Sequence, residues 1–150
     1  MEEAIFGAGC FWGVETKFGK VEGVIETEVG YTGGTTNNPT YKDVCTNDTG
    51  HAEVVKVTFD PSIVSYEELL EIFWDIHNPT TLNRQGWDVG TQYRSAVFYS
   101  NEEQRLSAKK LKEKLERSEK FKRPIVTEIV PATEYYKAEE YHQKYNEKNR

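Results

Sequence analysis

Sulfur and long apolar segments are both scarce in this chain. Only two of its 150 residues are cysteines, Cys10 and Cys45, which is too few for a disulfide-stapled secreted scaffold. No paired C-x-x-C occurs, and the spacing from Cys45 to His51 is not one that zinc sites use, so the sequence predicts no metal site. It also shows no signal peptide and no run of about 18 apolar residues. We therefore expect a cytoplasmic protein with no membrane partner.

The charge balance excludes another class of partner. The formal net charge is -6, and charged residues make up 29% of the chain. The lysines between Lys109 and Lys122 are interleaved with glutamates, so they indicate the solvent face of a helix and not a basic patch. Nucleic acid is therefore not an expected partner. A chain of this length can bury a core without staples, and we expect one monomeric domain over residues 1–150.

Hydrophobic periodicity predicts the elements of that domain. Alternating apolar and polar residues predict strands at 3–7, 24–31, 53–59, 93–99 and 125–130. Helical spacing predicts helices that begin at Cys10, Ser65 and Ser100, and residues 134–150 are expected to form a helix over the body. Two polar segments that contain glycine, 35–50 and 80–91, are expected to be long loops.

The order of these elements indicates a fold class. Strand, helix, strand, strand, helix, strand, helix, strand is typical of an α+β sandwich, in which helices pack on one face of a mostly antiparallel sheet. The split βαβ arrangement contains this pattern. Periodicity alone does not give the order of the strands in the sheet.

The segment Gly9-Cys10-Phe11-Trp12-Gly13 carries the clearest sign of chemistry. It follows an apolar strand and opens a helical pattern, so Cys10 is expected at a helix N-terminus. The free amide groups there stabilise a thiolate, which predicts a nucleophile. The alternative is a buried apolar cysteine. Two flanking glycines that admit a ligand to the backbone, and two adjacent rings that can wall an apolar slot, favour the nucleophile.

Three further segments combine reactive groups with glycine at loops or loop-to-strand junctions, namely residues 41–45, 50–53 and 85–95. Taken singly, four of their side chains fit ordinary surface, turn or rim roles: Tyr41, Glu53, Asp88 and Tyr93. His51 fits either a general base beside Cys10 or a local hydrogen-bonding role. His142, near the C-terminus, is expected to be structural or exposed.

Taken together and in order, these segments resemble the A-type peptide methionine sulfoxide reductases. The shared motifs are Gly-Cys-Phe-Trp-Gly at 9–13, Gly-His-Ala-Glu at 50–53 and Gly-Thr-Gln-Tyr-Arg-Ser at 90–95. Pro-Thr-Tyr at 39–41 and Ala-Glu-Glu-Tyr-His at 138–142 also match, so the similarity covers nearly the whole chain. The resemblance implies a modified ferredoxin-like fold. It also implies thiol-dependent reduction of methionine S-sulfoxide, free or in oxidised proteins, as a repair reaction.

The resemblance further implies a role for each matching side chain. Cys10 is expected to attack the sulfoxide sulfur and become a sulfenic acid, while Glu53 donates a proton to the sulfoxide oxygen. Tyr41 and Tyr93 are expected to hydrogen-bond that oxygen. Substrate-binding roles fall to four residues, of which the first two would cradle the methyl group: Phe11, Trp12, Asp88 and His51.

Two features depart from the family pattern. Trp87 stands where asparagine is common, and no resolving cysteine precedes Arg150 at the C-terminus, where many members carry one or two. Whether the chain is a natural tail-less form or is cut short stays open. We expect no bound cofactor and an external thiol reductant, such as thioredoxin, glutaredoxin or dithiothreitol. Cys45 is the alternative resolving thiol, although a small buried residue under its loop is the favoured interpretation.

The residues alone leave two other functions open. A cysteine hydrolase would use Cys10 as nucleophile and His51 as base, but it gives Trp12 and the tyrosines no task. A metal-binding or peptide-binding module would use Cys10, Cys45 and His51, although these residues lack a recognised ligand spacing.

Overall fold

The computed structural model describes residues 1–149 and has an α+β architecture. The strands are β1 (Glu2–Ala8), β2 (Val24–Thr32), β3 (Ala52–Phe59), β4 (Arg84–Gln85), β5 (Asp88–Val89), β6 (Ser95–Tyr99), β7 (Glu128–Pro131) and β8 (Tyr135–Lys137). The helices are α1 (Phe11–Gly19), α2 (Tyr41–Val44), α3 (Tyr66–Asp75), α4 (Glu102–Arg117) and α5 (Tyr145–Lys148). Short 3-10 turns cover Thr91–Tyr93 and Glu140–His142.

Six strands form one sheet in the order β7-β6-β1-β3-β2-β8. Strands β6, β1, β3 and β2 pair antiparallel and form its centre. Because β1 and β2 lie on either side of β3 and are joined through α1, this centre is the predicted split βαβ arrangement. The sheet is extended at one edge by β7, which is parallel to β6, and at the other by β8, which is antiparallel to β2.

The main core lies between this sheet and the helices. Phe6 of β1 stacks on Phe18 of α1 and Phe73 of α3, with ring centroids 5.2 Å apart in both pairs. The alternation of β3 places Val55 and Val57 on the same face, where both are fully buried. Burial of one such side chain contributes about 1.5–3 kcal/mol, so these contacts hold the helices on the sheet. The opposite face carries a smaller apolar cluster.

Helix starts follow the predicted capping chemistry with one shift. The Ser65 hydroxyl accepts a hydrogen bond from Glu68 N at 3.1 Å, as the sequence predicts for α3. At α4 the predicted cap, Ser100, is wrong by one residue. Asn101 caps this helix, and its Oδ1 accepts from Gln104 N at 2.8 Å. Asparagine is as good an N-cap as serine, and glutamine is a suitable third helical residue, so the neighbouring pair is used.

The C-terminal segment differs most from its prediction. The expected helix over the body is confined to the four residues of α5, while Tyr135–Lys137 pair with β2 as strand β8. Tyrosines favour strands, and the edge of β2 offers unpaired backbone groups, so pairing replaces helix formation here. Arg150, the last residue of the predicted segment, lies outside the described residues. In residues 1–149 we find no helix with the length and apolar character needed to cross a bilayer.

The predicted loops and strand ends also change in detail. The loop at 35–50 contains α2, and the loop at 80–91 contains the hairpin of β4 and β5. The strand expected at 93–99 begins at Ser95, because the 3-10 turn at Thr91–Tyr93 occupies the residues before it. The strand expected at 125–130 forms over Glu128–Pro131.

Candidate active site

Antiparallel pairing brings the chemistry-bearing junctions to one end of the sheet. Ala8, at the end of β1, lies opposite Ser95 at the start of β6. Tyr31, near the end of β2, lies opposite Glu53 at the start of β3. Two strand ends and two strand starts therefore meet, and the residues that follow β1 or precede β6 gather beside Glu53. Cys10 is one of them.

Cys10 is the N-cap residue of α1, as the sequence predicts. Gly9 before it has a φ of +104°, a left-handed conformation that glycine adopts without the strain a side chain would add. A Cβ at Gly9 would lie 2.8 Å from Gln85 Cγ, so glycine also lets the hairpin of β4 and β5 pack against this turn. The half-buried thiol is thus presented at a tight turn from strand to helix.

The resting protonation state of this thiol differs from the expected one. Burial raises the pKa of Cys10 to about 11, although the N–H groups of Trp12 and Gly13 act to lower it. The negative charges of Glu53 and Asp88 raise the pKa further. The expected thiolate bias is therefore wrong for the free protein, because dehydration and the charge of Asp88, joined by that of Glu53 once it ionises, outweigh the helix N-terminus. At neutral pH Cys10 is a thiol.

Glu53 is a buried carboxyl group, which excludes the ordinary surface role that it fits when taken singly. It shares the helix-covered face of β3 and is 1% exposed. Its Oε1 accepts a hydrogen bond from Phe11 N at 3.2 Å, while Oε2 has no hydrogen-bond partner among residues 1–149. Burial raises the pKa of Glu53 to about 8, with the Phe11 bond opposing and Asp88 adding to the rise. At neutral pH the carboxyl is protonated, and the proton belongs on Oε2 because Oε1 accepts from Phe11.

Two tyrosine side chains lie close to these groups. Tyr41 opens α2, a helix that Thr40 caps, and Tyr93 ends the 3-10 turn before β6. Burial and then the negative charge of Glu53 raise the pKa of both, and the pKa of Tyr93 reaches about 12. Both phenols are therefore neutral hydrogen-bond donors at any physiological pH.

The hairpin of β4 and β5 supplies an anionic group at the rim. Asp88 is exposed, yet its charge contributes to the raised pKa of Cys10, Glu53 and Tyr93, which places it near all three. Trp87 beside it is fully exposed. The structure therefore brings the predicted Asp88 to the site and leaves its neighbour in solvent.

His51 supports a loop and is not aimed at the thiol. Its Nδ1 accepts from Gly34 N at 3.0 Å, and its Nε2 donates to Thr36 O at 2.7 Å. The side chain is buried, and both ring nitrogens are used by the main chain. The general-base role beside Cys10 is therefore wrong, and the cysteine hydrolase loses its base. The structure gives the ring a role in shaping the loop, and the expected substrate contact of His51 stays a prediction.

Cys45 ends α2 and is exposed, so the interpretation as a buried residue under its loop is wrong. Burial raises the pKa of its thiol above the ordinary value, while the hydrogen bond with the Tyr41 hydroxyl acts in the opposite direction. The charges of Cys45 and Cys10 both contribute to the raised pKa of Tyr93, so this side chain lies near both thiols. Within residues 1–149 no cluster of three or more His, Cys, Asp or Glu side chains is arranged to hold a metal ion.

Sequence reasoning missed two side chains of the C-terminal segment. Glu139 accepts hydrogen bonds from the Tyr31 hydroxyl and from Tyr41 N, both at 2.9 Å, and so anchors the start of α2. His142, expected to be structural or exposed, is buried and accepts from Trp12 Nε1 at 3.0 Å. The motif at 138–142 was the available signal, but nothing in its local pattern shows which elements it contacts.

Comparison with known proteins agrees with this arrangement. A family model described as peptide methionine sulfoxide reductase matches residues 2–150. The peptide methionine sulfoxide reductase MsrA of Methanothermobacter thermautotrophicus is 63% identical over 148 residues, which are 99% of this chain and 88% of that protein. MsrA of Geobacter sulfurreducens is 57% identical over 99% of this chain and 91% of its own length.

Solved structures share the fold and more than a third of the sequence. Reduced Mxr1 from Saccharomyces cerevisiae superposes with a TM-score of 0.93 at 37% identity, over 99% of this chain and 85% of that one. Methionine sulfoxide reductase A of Corynebacterium diphtheriae gives 0.87 at 41% identity, over 99% and 74% of the two chains. The resemblance and the α+β fold predicted from the sequence are thus confirmed. This chain belongs to the peptide methionine sulfoxide reductase family.

Proposed function

We propose that this protein reduces methionine S-sulfoxide, in oxidised proteins and as the free amino acid, with a thiol as the source of electrons. The observation that carries the proposal is the pairing of a cysteine at a helix N-terminus with a buried, protonated carboxyl group at one end of the sheet. A nucleophile that is readily oxidised and an acid that holds its proton at neutral pH are the two groups that sulfoxide reduction requires.

The neighbouring side chains match the two ends of a methyl sulfoxide. Its oxygen is a strong hydrogen-bond acceptor, and three neutral donors lie near one another at this end of the sheet: Glu53, Tyr41 and Tyr93. Its methyl group is apolar, and Phe11 and Trp12 supply aromatic walls beside Cys10. Sulfoxide sulfur is chiral, so donors on one side and rings on the other accept one epimer with its main chain directed outward. Family membership assigns this as the S epimer.

The chemical step conserves atoms and electrons. The Cys10 sulfur forms a bond to the sulfoxide sulfur, and the oxygen then passes to Cys10, so that this S–S bond and the S–O bond of the substrate break while an S–O bond forms on Cys10. The products are methionine and a sulfenic acid on Cys10, so cysteine loses the two electrons that the sulfoxide gains. Glu53 donates a proton to the oxygen as negative charge develops there, and the thiol proton replaces it. Since both groups rest in their neutral forms, the step needs no net proton uptake.

Restoring Cys10 requires a second thiol. The sulfenic acid condenses with a thiol to form a disulfide and water, and a further thiol then reduces that disulfide. Yeast Mxr1 has been solved in complex with Trx2, at a TM-score of 0.67 and 25% identity to this chain. We therefore assign the role to an external reductant, thioredoxin first and glutaredoxin or a small thiol as alternatives. The exposed Cys45 is the internal alternative.

Composition and charge also bear on the domain organisation, location and partners of the protein. We propose that residues 1–150 act as a single monomeric catalytic domain without a bound cofactor or metal. The two free thiols favour a reducing cytoplasm, and the acidic net charge of -6 disfavours nucleic acid as a partner.

Separated epimers test the proposed function directly. Purified protein is incubated with methionine S-sulfoxide or R-sulfoxide and dithiothreitol, and methionine is quantified by chromatography. We expect turnover of the S epimer, little turnover of the R epimer, and none with Cys10→Ser, because a hydroxyl is far less ionised and less nucleophilic than a thiol. Turnover by the serine variant would overturn the role of Cys10.

A further inference from the structure

The indole of Trp12 is held from two sides by the C-terminal segment. His142 Nδ1 accepts a hydrogen bond from Trp12 Nε1 at 3.0 Å. The ring of Tyr145 stacks on the indole with centroids 3.8 Å apart and planes 9° from parallel. Asn146 Nδ2 also donates to Trp12 O at 3.2 Å. We call residues 142–146 the clamp.

His142 makes one polar contact within this clamp. An indole N–H can only donate, so Nδ1 must be unprotonated and the ring hydrogen lies on Nε2. Nε2 is buried without a hydrogen-bond partner among residues 1–149. Burial lowers the pKa of His142, with the charge of Glu139 opposing, and this favours the neutral ring that the contact with Trp12 requires. The polar contribution of the side chain is therefore one acceptor directed at Trp12.

The same ring also touches the rest of the site. Its centroid lies 4.4 Å from that of Tyr41 and 5.2 Å from that of Phe11. His142 is 1% exposed and packs behind Tyr41, a proposed donor, and Phe11, a proposed wall of the methyl slot. A change in its position would move the indole and these rings together.

The clamp is anchored by bonds that do not involve Trp12. The Gln143 side chain makes two hydrogen bonds to the main chain of Val29. It accepts from the Val29 N–H and donates to the Val29 carbonyl, both at 2.9 Å. Lys144 N donates to Glu15 Oε1 at 2.8 Å. These contacts attach the clamp to β2 and α1, so the acceptor on His142 has a defined position whether or not the indole is present.

We propose that His142 is a positioning residue that sets the orientation of the Trp12 indole and thereby the aromatic wall that receives the methyl group of the sulfoxide. This inference rests on the proposed function. Trp12 lies in the first turn of α1 and is only partly buried, so its side chain would otherwise sample several rotamers. Holding one rotamer before the substrate arrives removes an entropic cost from binding.

A pair of substitutions separates the acceptor from the bulk of the ring. His142→Asn places an amide oxygen near the position of Nδ1, while His142→Leu keeps similar volume without an acceptor. We expect the leucine variant to raise KM for methionine S-sulfoxide about tenfold, the size of one net hydrogen bond, with a smaller change in kcat. The asparagine variant should stay within about threefold of the parent KM. Equal KM values for the two variants would overturn the proposal.

A double-mutant cycle with Trp12→Phe tests whether His142 acts through the indole. Phenylalanine keeps an aromatic wall but removes the N–H donor. We expect His142→Leu to raise KM by less than about twofold in the Trp12→Phe background, because the contact it removes is already absent. An increase as large as in the parent background would assign His142 a purely structural role. If the leucine variant does not fold, His142→Gln, which displaces the acceptor, replaces it in both comparisons.

The indole of Trp74, which is buried, provides the control. Trp74 Nε1 donates to Thr127 Oγ1 at 2.9 Å, in contacts outside the clamp. Thr127→Val removes this acceptor and should lower the thermal midpoint while leaving KM unchanged. All variants are compared with the parent on the S epimer. Absence of turnover by the parent itself would reject the proposed function, whereas parent turnover with no effect at His142 would reject only the positioning role.

Discussion

At the scale of single residues, burial links the proposed acid, Glu53, to the proposed nucleophile, Cys10. Glu53 keeps its proton at neutral pH because it is dehydrated, and once it ionises its negative charge raises the pKa of Cys10. The dehydration that keeps Glu53 uncharged in the resting protein also strengthens any hydrogen bond that it donates to a sulfoxide oxygen. The proposed acid therefore holds its proton at neutral pH before any substrate binds.

Glu53→Gln tests whether the reaction uses the proton of Glu53. The amide preserves the shape of the side chain but cannot release a proton, so we expect kcat/KM at neutral pH to fall by roughly 10²–10⁴-fold, the usual range for a lost general acid. The parent enzyme should also lose activity as the pH rises through about 8, where Glu53 ionises. Steady-state kinetics from pH 6 to 9 measure both effects. Activity of the variant within a few-fold of the parent would assign proton transfer to a tyrosine or to water.

The same carboxyl group predicts how stability changes with pH. Its ordinary pKa is 4.5, and in the folded protein it is about 8, so between these values the unfolded chain binds fewer protons than the folded one. Folding stability from this group is present below pH 4.5 and declines toward pH 8, by at most about 1.4 kcal/mol per pH unit. We expect urea unfolding from pH 5 to 8 to show this decline in the parent relative to Glu53→Gln. Parallel stability curves would contradict the raised pKa.

The effect of Glu53 must be taken as the difference in the free energy of unfolding between the parent and Glu53→Gln at each pH. His77 is buried, and burial lowers its pKa to about 4, so its contribution to stability rises with pH between this value and the ordinary 6.5. This trend opposes that of Glu53 over part of the range. Because the variant retains His77, subtraction removes it.

At the scale of elements, the turn between β1 and α1 places the thiol. Gly9→Ala would impose a side chain at a φ of +104° and a Cβ 2.8 Å from Gln85 Cγ. We expect a loss of about 1–3 kcal/mol in the free energy of unfolding, together with lower activity as the turn and the hairpin separate.

Gly13→Ala is the matched control within the same motif. A Cβ at Gly13 meets nothing within 4 Å, and the residue lies inside α1 with no left-handed φ. Alanine is the better helix former, so denaturant unfolding should show a gain of about 0.5–1 kcal/mol. A loss at Gly13 as large as at Gly9 would mean that the space around the turn, and not its backbone conformation, limits both positions.

At the scale of the whole molecule, the question is whether one chain completes the redox cycle. Cys45 is exposed at the end of α2, and both cysteines lie near Tyr93. After one equivalent of methionine S-sulfoxide without reductant, we expect a trappable sulfenic acid on Cys10 and a Cys45 that still reacts with an alkylating agent. Intact-mass spectrometry with alkylation distinguishes this state from its alternative. A mass lower by two hydrogens, with both thiols blocked, would instead make Cys45 the resolving residue.

Local periodicity predicted much of the fold. The alternation over β3 predicted a buried face with Val55 and Val57, and the capping pattern at Ser65 predicted the start of α3. The position of Cys10 between a strand and a helix was likewise readable, because each of these features depends on residues within a few positions of one another. The ordered motifs predicted the family.

The chemistry of the site was decided by contacts between distant parts of the chain. Glu53 accepts from Phe11, 42 residues earlier, and Trp12 donates to His142, 130 residues later. Sequence alone singled out Cys10 and Glu53 as candidate site residues and predicted the α+β scaffold that carries them. Only the tertiary structure decided that Glu53 is dehydrated, that the thiol rests protonated, that His51 serves a loop and that His142 faces Trp12. A pKa or a hydrogen-bond partner depends on which segments exclude water from a group, and local sequence does not contain that information.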